Sequence, residues 1–89
     1  MFLLENFVSL TQPWIKICGI TQNKVADYAA ELGVNALGFV FYSKSPRSIS
    51  SKILPKIIEN LKGSVSIVAL FVDPTKDEVS EVLDSGLID

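Results

Sequence analysis

The chain has 89 residues, enough for one small hydrophobic core and too few for two domains. Hydrophobic residues make up 48% of it and charged residues 20%, which is typical of a folded globular protein and argues against disorder. A net charge of −2 provides no basic surface for nucleic acid. The single cysteine and the absence of histidine exclude an internal disulfide and a Cys/His metal set, so we expect a reducing, cytoplasmic setting.

The first thirteen residues are apolar but do not match a signal peptide. Glu5 interrupts the apolar run, no basic segment precedes it, and no small-residue cleavage site follows. No segment reaches the roughly 18 apolar residues that would span a bilayer. We therefore predict an N-terminal extension over residues 1–13, a folded domain over residues 14–89, and no membrane partner.

A short strand opens the folded domain. The residues at 15–18 alternate between two faces, with Lys16 and Cys18 together on one of them. Thr21 is a suitable N-cap for a helix that follows. The predicted buried stripe of this helix has the i, i+3, i+4, i+7 spacing and consists of Val25, Tyr28, Ala29 and Leu32.

Two nearly unbroken apolar runs come next, at 36–41 and at 65–72. Such runs are typical of strands covered on both faces, which occur in parallel sheets. Ser50 or Ser51 is placed to cap the helix between them, and Pro55 fits that helix only near its first turn. The predicted buried stripe of this second helix is Leu54, Ile57, Ile58 and Leu61.

A third helix and the start of a fourth strand complete the pattern. Thr75 and Glu78 have the spacing of a capping box, and the residues at 87–89 begin the strand. The third helix is predicted to bury Val79, Val82 and Leu83. The alternation of strands and helices predicts an α/β fold of parallel strands joined by right-handed crossovers. Because three strands and three helices leave much of the sheet uncovered, the pattern indicates part of a larger sheet.

Two residues at the predicted carboxyl ends of strands are candidates for chemistry, since parallel α/β proteins bind ligands there. Cys18 is either a small buried hydrophobe or a thiolate acting as base or nucleophile. Arg47 is either a solvated loop cation or a guanidinium group that binds a carboxylate or phosphate through two hydrogen bonds. Asp73, after the third strand, is sufficiently explained as a helix cap. Neither GxxxxGKS/T nor GxGxxG occurs, so nucleotide binding through those motifs is not supported.

Three motifs, KICGIT at 16–21, ALGFVFY at 36–42 and KSPR at 44–47, closely resemble the start of phosphoribosylanthranilate isomerase of tryptophan biosynthesis. The resemblance runs from Trp14 to Asp89. It implies a TIM (β/α)8 barrel of which residues 14–89 form about the first three of eight units. It also implies a cofactor-free Amadori rearrangement that turns the aminoaldose phosphate phosphoribosylanthranilate into the corresponding aminoketose.

The resemblance also implies roles for the two candidate residues. In such enzymes an acid opens the ribose ring by protonating its oxygen, and a base takes the proton from the neighbouring sugar carbon. Cys18 would be that base, and Arg47 would contact the anthranilate moiety of the phosphosugar substrate through its carboxylate. The family's acid is an aspartate on a later strand, and its phosphate is held after the seventh and eighth strands. Because the 89 residues contain none of those positions, we expect the isolated chain to be inactive.

Three alternatives stay open at this point. The chain is also consistent with a non-catalytic α/β module that associates through its open sheet edges, either with itself or with the remaining portion of a barrel. Another phosphosugar barrel of the same pathway region would share the architecture. A small flavodoxin-like module is the last alternative, although Cys18 stands where a phospho-acceptor site would need acidic residues.

Overall fold

A computed structural model describes residues 14–61 and 65–89, so the extension predicted over residues 1–13 lies outside the described residues. The predicted alternation of strands and helices is confirmed. Each strand is shorter at one or both ends than its apolar run. The elements are β1 (Lys16–Cys18), α1 (Asn23–Glu31), β2 (Ala36–Val40), α2 (Leu54–Ile58), β3 (Ser66–Leu70) and α3 (Lys76–Leu83).

The three strands form one parallel sheet in the order β1-β2-β3. Each strand therefore lies beside the next strand of the chain, as closure into a barrel requires. A flavodoxin-like sheet has the order 2-1-3, with the first strand between the second and third. The observed order excludes the flavodoxin-like alternative for the described part of the chain.

The residues that follow α3 return to the free side of β3. The amide of Asp89 donates to the carbonyl oxygen of Ile67 at 2.9 Å, and the amide of Ile67 donates to Oδ2 of Asp89 at 2.6 Å. The predicted fourth strand is not formed over residues 87–89, but this pairing places the segment where a fourth strand would continue the order.

The register of the sheet separates two faces, because side chains alternate along each strand. One face, which we call the closed face, carries Ile17, Leu37, Phe39, Ile67 and Ala69. The other, which we call the open face, carries Lys16, Cys18, Ala36, Gly38, Val40, Ser66, Val68 and Leu70. The two faces differ in what covers them.

Helices α1 and α2 cover the closed face. Leu37 and Phe39 are fully buried there, in the middle of the sheet. The helical residues that share their core cluster are Ala26, Ala29, Leu54 and Ile57. On the open face, by contrast, Val40, Val68 and Leu70 are only half-buried. The expectation of strands covered on both faces therefore holds for the closed face, whereas on the open face Ala36 and Gly38 are buried and the larger side chains are only half-buried.

Helix α1 differs from its prediction in its cap and in its buried side. It begins after Gln22 rather than Thr21, and the cap makes no side-chain hydrogen bond. Ala26 and Ala29 are buried, because their small side chains let the helix approach the sheet closely. The predicted stripe was right for Ala29 and wrong for the larger residues, Val25, Tyr28 and Leu32, which are 46%, 64% and 65% exposed.

These exposed residues lie on the flank of α1 that faces away from α2. The opposite flank, with Asp27 and Glu31, lines a cleft together with Asn60 and Leu61, which follow α2. Successive residues of a helix are rotated by about 100°. Val25, Tyr28 and Leu32 therefore point to the side of α1 opposite to this cleft. The apolar flank of α1 is thus turned toward the free edge of the sheet at β1.

Helix α2 is short and is not capped by a serine side chain. Its N-cap is Ile53, and Pro55 lies in its first turn, as expected. The hydroxyl of Ser51 instead donates to Oε2 of Glu81 on α3 at 3.0 Å. The serine-cap prediction was therefore wrong: α2 begins after both serines, and the Ser51 hydroxyl links the turn before α2 to α3. The predicted stripe is confirmed for Leu54 and Ile57, which are buried, while Ile58 and Leu61 are partly buried.

Helix α3 begins with the predicted capping box. The hydroxyl of Thr75 accepts from the amide of Glu78 at 3.1 Å, and the Glu78 carboxylate accepts from the amide of Thr75 at 2.7 Å. Asp73 is therefore not the cap; it has a left-handed φ of 43°, which aspartate tolerates better than most residues. Of the predicted stripe only Val82 is buried, and Leu83 is 52% exposed.

Candidate active site

Cys18 is the last residue of β1, and its side chain is exposed on the open face. The chain then turns at Gly19, which has φ +83°, a conformation that glycine adopts without the cost that a Cβ imposes. The amides of Gly19 and Ile20 both donate to the carbonyl oxygen of Gly38, at 2.9 and 3.2 Å. These bonds hold the carboxyl end of β1 firmly against β2.

Gly38 is the partner of Cys18 in the register of the sheet. A Cβ at position 38 would lie 3.1 Å from Sγ of Cys18 and 3.3 Å from its Cα, closer than ordinary van der Waals contact. The thiol therefore lies over a place on β2 where no side chain exists. The apolar run at 36–41 predicts a buried strand around Gly38 but carries no signal for this contact.

Arg47 lies in the loop after β2, and Ser45 shapes that loop. The amide of Ser45 donates to the carbonyl oxygen of Tyr42 at 2.9 Å, and its own carbonyl oxygen accepts from the amide of Ser48 at 3.1 Å. Its hydroxyl accepts from the amide of Arg47 at 3.1 Å. A serine two residues before the arginine is the sequence signal for this turn, and the spacing of the candidate site residues alone does not reveal it.

The side chain of Arg47 crosses directly over Gly19. A Cβ at position 19 would lie 2.5 Å from Cδ of Arg47 and 3.3 Å from its Nε. Arg47 thus contacts the residue next to Cys18. The structure thus places Arg47, from the loop after β2, against the turn that directly follows Cys18 at the end of β1.

A cleft of about 660 Å³ opens nearby, beyond the ends of β2 and β3. Its walls include Phe41 and Phe71, whose rings stack with centroids 5.8 Å apart. Neither Cys18 nor Arg47 lines it.

Across residues 14–61 and 65–89, no set of three or more acidic, cysteine or histidine side chains is grouped to hold a metal ion. The same residues contain no helix long and apolar enough to cross a membrane.

Adjacent parallel strands in chain order, with helices on one face and polar groups at the carboxyl ends, define the first units of a (β/α)8 barrel. Among curated proteins, the N-(5'-phosphoribosyl)anthranilate isomerase of Azotobacter vinelandii is 46% identical over 74 residues, which are 83% of this chain and 36% of that protein. The predicted resemblance is confirmed: this chain is homologous to phosphoribosylanthranilate isomerase over most of its length.

Solved structures agree with the sequence relatives. The phosphoribosylanthranilate isomerase of Thermus thermophilus matches with a TM-score of 0.79 and 35% identity over 86% of this chain and 38% of that one. A second isomerase structure, in complex with reduced 1-(o-carboxyphenylamino)-1-deoxyribulose 5-phosphate, matches with a TM-score of 0.76 and 37% identity over 82% of this chain and 38% of that one. No family model matches the chain.

The chain spans about a third of the length of the curated relatives it matches, 32% and 36% in two of them. The comparisons therefore bear on the fold and on the motifs that these residues carry.

Proposed function

We propose that residues 14–89 supply the base-bearing part of a phosphoribosylanthranilate isomerase active site. The observation that carries this proposal is the contact of the Arg47 stem with Gly19, the residue that follows Cys18, in a chain homologous to that enzyme. In barrels of this class, the catalytic groups come from the ends of several different strands. The substrate would be phosphoribosylanthranilate, and the product its aminoketose isomer.

Cys18 would act as the base that removes the proton from the sugar carbon next to the reacting carbon. Its exposed position at the end of β1 leaves the thiol accessible to a substrate on the open face. Positioned proton transfer of this kind contributes about 10²- to 10⁴-fold to turnover. The acid that opens the ribose ring would come from outside these 89 residues, on a later strand of the barrel.

Arg47 would bind the anthranilate carboxylate. A guanidinium group matches a carboxylate with two parallel hydrogen bonds, which fixes orientation as well as affinity. The stem of Arg47 lies across Gly19, so the arginine reaches the turn that directly follows the cysteine. The two groups would therefore contact different parts of one substrate.

The free edge of β1 and the apolar flank of α1 would be covered by the remaining barrel units. Trp14 and Ile15, which precede β1, are 68% and 45% exposed, and the flank residues Tyr28 and Leu32 are more than half exposed. A further parallel strand would pair with β1, and its helix would pack on this flank. The same surfaces support the second candidate function, a non-catalytic module that associates through its open edges.

The experiment places residues 14–89 of this chain where the matched residues of the Azotobacter vinelandii isomerase stand, which gives what we call the assembled enzyme. We expect the assembled enzyme to isomerise phosphoribosylanthranilate, followed by substrate fluorescence, and the 89-residue chain alone to show no turnover. Circular dichroism shows whether each protein is folded.

A folded assembled enzyme without turnover would refute the proposal and favour the non-catalytic module. Gel filtration of the 89-residue chain adds a second readout, since a module that associates with itself elutes as an oligomer. Turnover by the 89-residue chain alone would contradict the role assigned to the missing acid. The cytoplasmic location stays a prediction.

A further inference from the structure

We propose that Gly38 and Gly19 are positioning residues of this site: Gly38 sets the place of the Cys18 thiol, and Gly19 sets that of the Arg47 side chain. This inference rests on the proposed function and names two residues that act through the pair already described. Neither glycine contacts the substrate in this account. Each leaves a space that one functional side chain occupies.

Gly38 has no conformational reason to be glycine. It lies in the middle of the central strand, and its φ is outside the left-handed region, so any residue could adopt its backbone. Glycine inside a strand weakens it through entropy and offers no side chain to pack. The residue is explained by its surroundings, because a Cβ would lie 3.1 Å from Sγ of Cys18 and 3.3 Å from Cδ1 of Leu70.

Leu70 closes the space on the side of β3, so a Cβ at position 38 would be held between two neighbours. The thiol is the more easily displaced of the two, since one rotation about χ1 moves it. Gly38→Ala would therefore shift the thiol by a few tenths of an ångström or turn it about χ1, since the Cys18 Cα, 3.3 Å from the same Cβ, is backbone and yields less easily. A misplacement of about 1 Å at a catalytic group can cost up to about 10²-fold in rate.

Gly19 is under two separate demands. Its φ of +83° disfavours a Cβ whatever the space, and Cδ of Arg47 lies 2.5 Å from where that Cβ would be. Gly33, at the end of α1, has a similar φ of +89° but nothing within 4 Å of its Cβ position. Gly33 therefore provides a matched control that carries the backbone cost without the contact.

The two glycines also act on each other. The carbonyl oxygen of Gly38 accepts from the amides of Gly19 and Ile20, so the strand position beside the thiol anchors the turn beneath Arg47. Gly19 and Gly38, two residues without side chains, thus together position the side chains of Cys18 and Arg47. Each of the two should have its own kinetic signature, which general destabilisation would not produce.

The test compares kcat and KM in the assembled enzyme. Gly38→Ala should lower kcat about tenfold or more and leave KM within about threefold, because it moves the base. Gly19→Ala should raise KM about tenfold, because it displaces a charged contact to the substrate. Gly33→Ala should change neither. In the Arg47→Ala background, where Cδ is absent, Gly19→Ala should raise KM no more than Gly33→Ala does.

The inference fails if Gly38→Ala and Gly19→Ala match Gly33→Ala while Cys18→Ala and Arg47→Ala still impair the enzyme. If Cys18→Ala and Arg47→Ala have no effect, the proposed function fails instead.

A second measurement does not depend on turnover. In the 89-residue chain, the rate of alkylation by iodoacetamide reports on Cys18 alone, because it is the only cysteine. Gly38→Ala should change the alkylation rate about threefold relative to Gly33→Ala, since the thiol leaves its rotamer; equal rates would contradict the contact.

Discussion

The closed face and the open face belong to the same three strands, yet they differ in the residues they carry and in the cover they receive. Leu37 and Phe39 on the closed face are fully buried under α1 and α2, whereas Val68 and Leu70 on the open face are half-buried. The closed face therefore holds the described chain together. The open face carries Cys18 and the surface that the proposed function needs, and the predictions below separate the two.

The largest expected effect comes from the same substitution on the two faces. In the 89-residue chain, Leu37→Ala should lower the free energy of unfolding by about 2–5 kcal/mol, since it leaves a cavity in the buried core. Leu70→Ala should cost about 1 kcal/mol or less, because part of that side chain already contacts water. Urea denaturation followed by circular dichroism measures both. Equal losses for the two leucines would show that the open face is covered as well as the closed one.

A smaller effect is expected at the rim of the open face, on binding alone. In the assembled enzyme Arg47→Ala should weaken substrate binding by about 1.5–3 kcal/mol, the range for hydrogen bonds to charged groups. It should leave the urea midpoint unchanged, since the Arg47 side chain is exposed. An analogue lacking the anthranilate carboxylate should lose much less affinity. Equal losses with substrate and analogue would count against the contact assigned to Arg47.

The smallest effect concerns helix capping, away from both faces. Thr75→Ala should lower the free energy of unfolding by about 1 kcal/mol, because it removes the hydrogen bond to the amide of Glu78. Thr21→Ala is the matched control and should stay within about 0.5 kcal/mol, since α1 begins after Gln22 with no side-chain cap bond. A comparable loss at Thr21 would mean that α1 is capped by that hydroxyl in solution.

Much of the fold was predictable because its elements are local. Apolar runs predicted β2 and β3, and the spacing of Thr75 and Glu78 predicted the capping box of α3. The buried side of α1 was not predictable in this way. Helical periodicity identified an apolar arc, but the sheet selected the neighbouring arc of small residues, Ala26 and Ala29.

The candidate site was predictable residue by residue but not as an arrangement. Cys18 and Arg47 could be named from their motifs and from their places after strands. Their proximity depends on the contact of Arg47 with Gly19, which forms only when β1 and β2 pair. Local sequence patterns predict neither this contact nor the position of the Cys18 thiol over Gly38, because both arise only when segments distant in sequence pair in the sheet.

The central claim is that Cys18 is the base of an isomerase, and the most direct test is turnover of the assembled enzyme with Cys18→Ala at saturating phosphoribosylanthranilate. We expect kcat to fall by at least about 10²-fold, the contribution of a positioned base, with KM within about threefold of the unsubstituted protein. A kcat that is unchanged in the folded variant would contradict the claim.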